Sequence, residues 1–311
     1  MPFTISHAAA VLPFVRRDGS GRGPLVPALL VAGSFAPDLT YYAAGVLPGA
    51  MGFGSFTHSF TGVFTVDVGL ALALVALWRL IREPVLGLVP GRLRGRVGAV
   101  LRPSRRRTGW RPLWWYVSAA LGATTHVVWD AFTHPDRWGL RLFPVLGETF
   151  AGSPLYWYVQ YAGSAAALAV LAAFAWWTVR GASPAEPGPA PSPGERWLAW
   201  TLITGCACVA GTLRVANWLS YVDGAGLTWQ PWEIIPALCF GAGAGLGVGV
   251  VLYALVSHGR PHRRAQSPQA APTTAANSSP ALGREPAGSG AEPRSFQPRR
   301  RLRRGVRGGA P

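Results

Sequence analysis

Gly122-Ala-Thr-Thr-His126-Val-Val-Trp-Asp130-Ala-Phe-Thr-His134 closes an apolar run that begins near residue 113. His126 and Asp130 are four residues apart and stand one above the other on a single helix face. The run reaches the ~20 residues that a helix needs to cross a bilayer. An ionisable pair inside such a span is costly and marks a functional site by default. Pro135 ends the helix at or before His134. This stretch sets the fold class: an all-α, polytopic transmembrane helical bundle organised around a polar cluster.

Working toward the N-terminus, Ser55 is placed to cap a span that runs to about Ile81 and carries His58 in its first turn. Asp67 lies deeper in that span and roughly opposite. Between the two spans, residues 82–112 hold nine arginines and one glutamate and read as a loop. Residues 25–47 are interrupted by Pro37-Asp38, which leaves either a re-entrant helix or a sixth span. The apolar part of the opening segment, with His7, is too short to cross and reads as a short interfacial or buried helix capped by Ser6.

Working toward the C-terminus, a loop over 134–154 leads to a span at 155–179, flanked by Tyr156-Trp157-Tyr158 and Trp176-Trp177 as interfacial belts. A Pro-rich linker covers 180–195. The next span, 196–217, carries Arg214 and Asn217 near its end. The last, 234–256, has Gly241, Gly245 and Gly249 at four-residue spacing, a close-packing face for a neighbouring helix. Residues 1–256 thus form the membrane domain, with five spans plus the N-terminal helix. Residues 257–311, rich in Arg and Pro, form a disordered tail.

Half of the 311 residues are hydrophobic and 14% are charged, which excludes an ordinary soluble domain. The net charge of +16 comes from 29 basic residues, all of them arginine. They fall in loops and the tail between apolar runs, which suits anchoring beside anionic membrane lipid and argues against nucleic acid. The same bias places the 82–112 loop, the linker and the C-terminus in the cytoplasm of a multi-pass cell-membrane protein. His58, His126, Asp130 and His134 then gather at the extracytoplasmic face. Arg16, Arg17 and Arg22 dissent, falling outside if 25–47 does not cross. Cys206, Cys208 and Cys239 have no CxxC spacing and indicate neither a disulfide framework nor a cysteine zinc site.

Imidazole with carboxylate is the usual ligand set for a divalent metal, zinc first, with iron or manganese also served. The ligand set expected here is His58, His126, Asp130 and His7, with Asp38 and His134 as acid–base groups beside it. A metal-activated water would be the nucleophile of a hydrolysis. Arg214 and Asn217, one turn apart, would hold an anionic group such as a phosphoryl oxygen. The alternative is a scaffold or permeation protein, in which a polar file links Asp67 to Asp130.

The segments Met1-Pro-Phe-Thr-Ile-Ser-His7, Gly33-Ser-Phe-Ala-Pro37-Asp38-Leu-Thr-Tyr41-Tyr42, Thr57-His58-Ser59 and Gly122 to His134 together resemble the bacterial membrane family DUF4184. The resemblance covers about residues 1–255 and implies that His7, Asp38, His58, His126, Asp130 and His134 occupy the family's motif positions. Thr57-His58-Ser59 and Gly122-x-x-x-His126-x-x-x-Asp130 are also similar to a family of inner-membrane metal-dependent hydrolases. That similarity implies a phosphoester or lipid-linked substrate, although no glutamate joins the cluster here.

Overall fold

The computed structural model describes residues 3–102, 111–186 and 190–259, and these are helical nearly throughout. The tail expected to be disordered lies outside the described residues from position 260 on. A 3-10 helix, Thr4–Phe14, opens the chain. Then follow α1 (Pro27–Phe35), α2 (Leu39–Ala43), α3 (Ala50–Thr57) and α4 (Phe60–Phe64), all short. The longer elements are α5 (Val66–Leu88), α6 (Gly91–Leu101) and α7 (Arg111–Ala131). After α8 (Trp138–Leu142) and a two-residue hairpin, α9 (Leu155–Gly181), α10 (Pro193–Gly224) and α11 (Ile234–Gly259) complete the fold.

Three segments, Leu155–Gly181, Pro193–Gly224 and Pro231–Gly259, are long and apolar enough to cross a membrane. At 1.5 Å per residue, α9 measures about 40 Å, more than the ~30 Å hydrocarbon layer. Their large side chains point outward: Trp177 is 69% exposed, Val209 61% and Leu246 50%. Outward apolar surface on this scale requires lipid as its solvent. The chain is therefore a multi-pass membrane protein.

Several sequence expectations are corrected here. The helix expected from Ser55 to Ile81 is three helices. Ser55 donates its hydroxyl to the Gly52 carbonyl, whereas Ser59 accepts from the Gly62 amide and caps α4. A second break follows at Thr65, where φ is −126° and ψ −88°. The described part of the arginine-rich 82–112 stretch is also largely helical, because α5 continues to Leu88 and α6 follows. At the N-terminus, Ser6 bonds the Phe3 carbonyl inside a 3-10 helix that starts at Thr4 and so caps nothing. The start of α10 is set by a capping box between Ser192 and Glu195. It ends at Gly224, about two turns beyond Asn217.

Small residues decide how the helices meet. Leu29, Ala32 and Ala36 pack against Val68 and Ala71 of α5 and Ala119 and Ala120 of α7. At the crossing of α1 and α7, a Cβ on Gly33 would collide with the Ala119 carbonyl, and one on Gly122 with the Leu30 carbonyl. Only glycine permits backbones to approach so closely. Gly241, Gly245 and Gly249 do the same for α11 against α10, facing Arg214, Cys206 and Ile203.

The 3-10 helix also bears on the arginines that dissented. Eleven residues at 2.0 Å each carry the chain about 22 Å along α9. Arg17 and Asp18 consequently line one groove with Trp177, Gly181 and Ala182, at the far end of α9 from Gln160. At that end Arg96 of α6 donates to the Arg180 carbonyl at 2.8 Å. The N-terminal arginines and the arginine-rich α6 therefore share one end of the bundle, although His7 lies toward the other.

Candidate metal centre

Four segments deliver the polar side chains to one point. The 3-10 helix brings Thr4 and His7 to the same side, because residues three apart eclipse in that geometry. The turn Ala36–Asp38 brings Asp38, and the C-terminal residue of α3 is followed by His58. The last turns of α7 bring His126 and Asp130. All five clustered groups, His7 included, are buried, with His126 fully so.

One ligand atom each from Asp38, His58, His126 and Asp130 lies within 4.8 Å of every other. His58 Nε2 is 3.5 Å from Asp38 Oδ1 and 3.5 Å from Asp130 Oδ2. His126 Nε2 is 3.5 Å from Asp38 Oδ1 and 3.4 Å from Asp130 Oδ2. Ligands about 2.1 Å from an ion at the centre of a tetrahedron have edges of about 3.4 Å, whereas octahedral neighbours would be about 3.0 Å apart. These four N···O distances match the tetrahedral edge and are four of the six edges such a site would have.

The second nitrogen of each imidazole fixes its tautomer. His126 Nδ1 is 2.8 Å from the Ser34 carbonyl and His58 Nδ1 is 2.8 Å from the Gly54 carbonyl. A carbonyl oxygen can only accept, so both Nδ1 atoms carry the hydrogen and donate. Both Nε2 atoms then face inward toward the two carboxylates, and neither makes a hydrogen bond there. A buried ring nitrogen without a partner is expensive, and Nδ1 tied to a carbonyl with Nε2 turned inward is the orientation in which histidine binds metal. Thr4 donates its hydroxyl to Asp38 Oδ2 and so turns Oδ1 toward the two imidazoles. Thr57 donates to the Pro37 carbonyl at 2.8 Å, locking α3 to the turn that carries Asp38.

The other expected residues fall in three positions. His7 stacks on His126, with ring centroids 3.6 Å apart, and its Nε2 lies 3.5 Å from Asp130 Oδ1, the oxygen away from the four-atom centre. His134 sits at the rim, with its Nδ1 3.6 Å from Asp130 Oδ2 and its Nε2 3.3 Å from the Gln160 amide nitrogen. Burial takes its imidazole down to about 4, which leaves it neutral near pH 7. Among the described residues, no hydrogen bond or ion pair joins Arg214 or Asn217, on α10, to the cluster. Asn217 is exposed, and the half-buried Arg214 guanidinium lies near Gly45. Asp67 is fully buried, and neither of its oxygens has a hydrogen-bond partner.

Sequence reasoning missed Thr4, which donates to Asp38, and Gln160, which meets His134. Thr4 carried a signal in its three-residue spacing from His7, but only for a 3-10 helix.

The sequence profile described as Domain of unknown function (DUF4184) matches residues 1–255, and the chain belongs to that family. No curated protein and no solved structure matches it.

Proposed function

We propose that this member of the DUF4184 family is a membrane-embedded, metal-dependent hydrolase whose ion, zinc by preference, is held by Asp38, His58, His126 and Asp130. The observation that carries this reading is the set of four N···O distances of 3.4–3.5 Å between two inward-facing imidazoles and two carboxylates. Two neutral nitrogen and two anionic oxygen donors suit zinc better than calcium or magnesium, which prefer oxygen alone. A divalent ion bound there supplies Lewis-acid and water-activating chemistry. The chain's own residues do the rest. Backbone carbonyls of Ser34 and Gly54 orient the imidazoles, and Thr4 orients Asp38. His134, neutral at the rim, is positioned to take or give a proton, and His7 shields the far side of Asp130.

On this assignment Asp38 is a ligand and His7 a supporting group, an exchange of their expected places. The arginine bias supports an extracytoplasmic position for the centre, because the cluster lies at the opposite end of the bundle from Arg17, Arg96 and Arg180. The 3-10 helix and α1 would then form a descending and ascending pair ahead of the spans formed by α5, α7, α9, α10 and α11.

A second reading is favoured by the ligand count. Four protein donors complete a tetrahedron, as in structural zinc sites, where catalytic sites keep a position open. Such an ion would tie four chain segments together without turnover. The partly exposed His134 side of the cluster favours the catalytic reading. A polar file across the bilayer is disfavoured, since Asp67 makes no hydrogen bond toward the cluster.

Metal analysis of the purified, detergent-solubilised protein tests the proposal. About one equivalent of zinc is expected in the parent chain, and far less in the His126→Ala and Asp38→Ala variants. Equal metal content in all three would refute it.

A further inference from the structure

Thr178 stands one turn from the end of α9, only 5% exposed, and its hydroxyl makes no hydrogen bond among the described residues. Hydroxyls inside helices ordinarily bond the carbonyl four residues back, as Ser164 does to Gln160 at 2.6 Å in the same helix. A buried polar group that departs from this calls for an explanation. Thr178 lines a groove of about 1080 Å³ between the 3-10 helix and α9, at the end of the bundle away from the metal centre. The groove is at the top of the ~300–1,000 Å³ range of small-molecule sites.

It is apolar within and charged at its mouth. Leu12, Val170, Ala173 and Phe174 form the inner part, and Trp177, Thr178, Arg17 and Asp18 the outer. From Ala169 to Ala182 it follows α9 for about 20 Å, the depth of one bilayer leaflet with its headgroups. A tight turn presents the charges. The Arg16 amide donates to the Ser20 carbonyl at 2.7 Å, and Gly19, left-handed at φ 79°, seats the turn against Val100 of α6 and Thr178. Asp18 is drawn back over this turn, accepting from the Ser20 amide at 2.9 Å and the Ser20 hydroxyl at 2.6 Å. Arg17 is exposed and makes no hydrogen bond or ion pair among the described residues. Arg180, 5.0 Å over the Trp176 ring, and Arg96, on the Arg180 carbonyl, add positive charge at the same end. Of the other acids on this side, Glu83 pairs with Arg82 and Arg102, Glu195 caps α10 and Glu186 follows Ala185 beside Gly95; none is among the lining residues.

A groove one leaflet deep, apolar inside and cationic at its rim, has the form of a phospholipid with a negative headgroup. Basic pockets between membrane helices hold such headgroups on the arginine-rich side of a bilayer. We propose that this groove binds one anionic phospholipid from the leaflet on that side. The acyl chain lies along Leu12 and Phe174, a glycerol ester oxygen accepts from the Thr178 hydroxyl, and the phosphate meets Arg17. The site is separate from the metal centre, so the lipid is a bound companion of the fold and not a substrate.

The test uses native mass spectrometry of the full chain in detergent, with phosphatidylglycerol and phosphatidylcholine of the same acyl chains as probes. The parent should retain one phosphatidylglycerol and hold it more tightly than phosphatidylcholine. Arg17→Gln should weaken phosphatidylglycerol about fivefold, the worth of one arginine beside anionic lipid, and narrow the gap between the two lipids. Ala173→Trp, which fills the groove, should expel both, Thr178→Val should weaken both alike, and Arg214→Gln, on α10, should bind as the parent does. Equal retention of the two lipids by the parent, or parent-like retention by Arg17→Gln, would overturn the inference. So would a parent that carries no lipid and forms a dimer lost in Ala173→Trp, since the groove would then be an interface between copies. If Ala173→Trp fails to fold, Thr178→Val decides, and parent-like affinity there counts against the lipid. Cobalt(II), a coloured surrogate for zinc, should give the same visible band in Arg17→Gln as in the parent, because groove and metal centre lie at opposite ends; a band lost together with the lipid would place both effects in the fold and overturn the inference.

Discussion

Replacing Gly122 with alanine tests whether the helix crossing and the centre are one construction. The added Cβ would collide with the Leu30 carbonyl, with Ser34 N next nearest at 2.9 Å. Restoring an ordinary contact of about 3.5 Å requires α1 and α7 to separate by about 1 Å. The bond from His126 Nδ1 to the Ser34 carbonyl, 2.8 Å in the parent, would stretch past the limit of about 3.5 Å at which it counts as one. Overpacking alone should cost about 1–3 kcal/mol. Loss of the bond that orients a metal-binding histidine should weaken metal affinity about ten- to a hundredfold. The assays are thermal unfolding in detergent and zinc competition against a chromogenic chelator. A lower melting temperature together with weaker zinc binding is expected. Unchanged zinc affinity, with or without a change in melting temperature, would refute the link between crossing and site.

Three further outcomes follow from the same geometry. Thr4→Val removes the hydroxyl that holds Asp38 Oδ2 while keeping the side-chain volume, and should weaken zinc about tenfold in the same competition assay. Chelator treatment should lower the melting temperature of the parent, since an ion at 100-fold its dissociation constant stabilises by about 2.7 kcal/mol; the Asp130→Ala variant should not respond. His134 titrates at about 4 in the folded chain and near 6.5 when unfolded. The unfolded chain then takes up a proton that the folded one refuses, so stability should fall as pH drops from about 6.5 to 4. Chemical denaturation across that window should show a shallower fall in His134→Gln.

How much of this was legible depended on whether the information lay inside one helix. His126 and Asp130 were readable because four-residue spacing guarantees a shared face whatever the helix packs against. His58 was readable as a site residue but not as a position. Ser55 and Ser59 are equally competent caps, and the apolar run continues unbroken through the turn at Thr65. Hydropathy cannot register that turn, nor the close approach of α4 to the end of α3, where a Cβ on Gly62 would collide with the Phe56 carbonyl. The partnership of Thr4 with His7 required a 3-10 helix, for which the sequence has no periodic signature over so few residues. Arg214 was singled out because it sits in an apolar run, yet α10 continues past it and its surroundings are those of α11.

The whole centre comes from residues 4 to 134, while α10 and α11 pack chiefly on each other through glycines. The two parts touch where α11 packs on α5 and where Tyr41 and Tyr42 pack edge-on against Phe240 of α11, at 5.5 and 5.1 Å between centroids. Disturbing α11 should therefore reach the rim of the site and not its floor. Gly245→Leu would drive a side chain into the Cys206 carbonyl and cost about 1–3 kcal/mol by overpacking. Cobalt binding should stay within about threefold of the parent, because no ligand rests on those helices and sites without shared partners act independently. Loss of cobalt in a variant that remains folded would show that α10 and α11 hold the centre together, against the division of labour drawn from their packing.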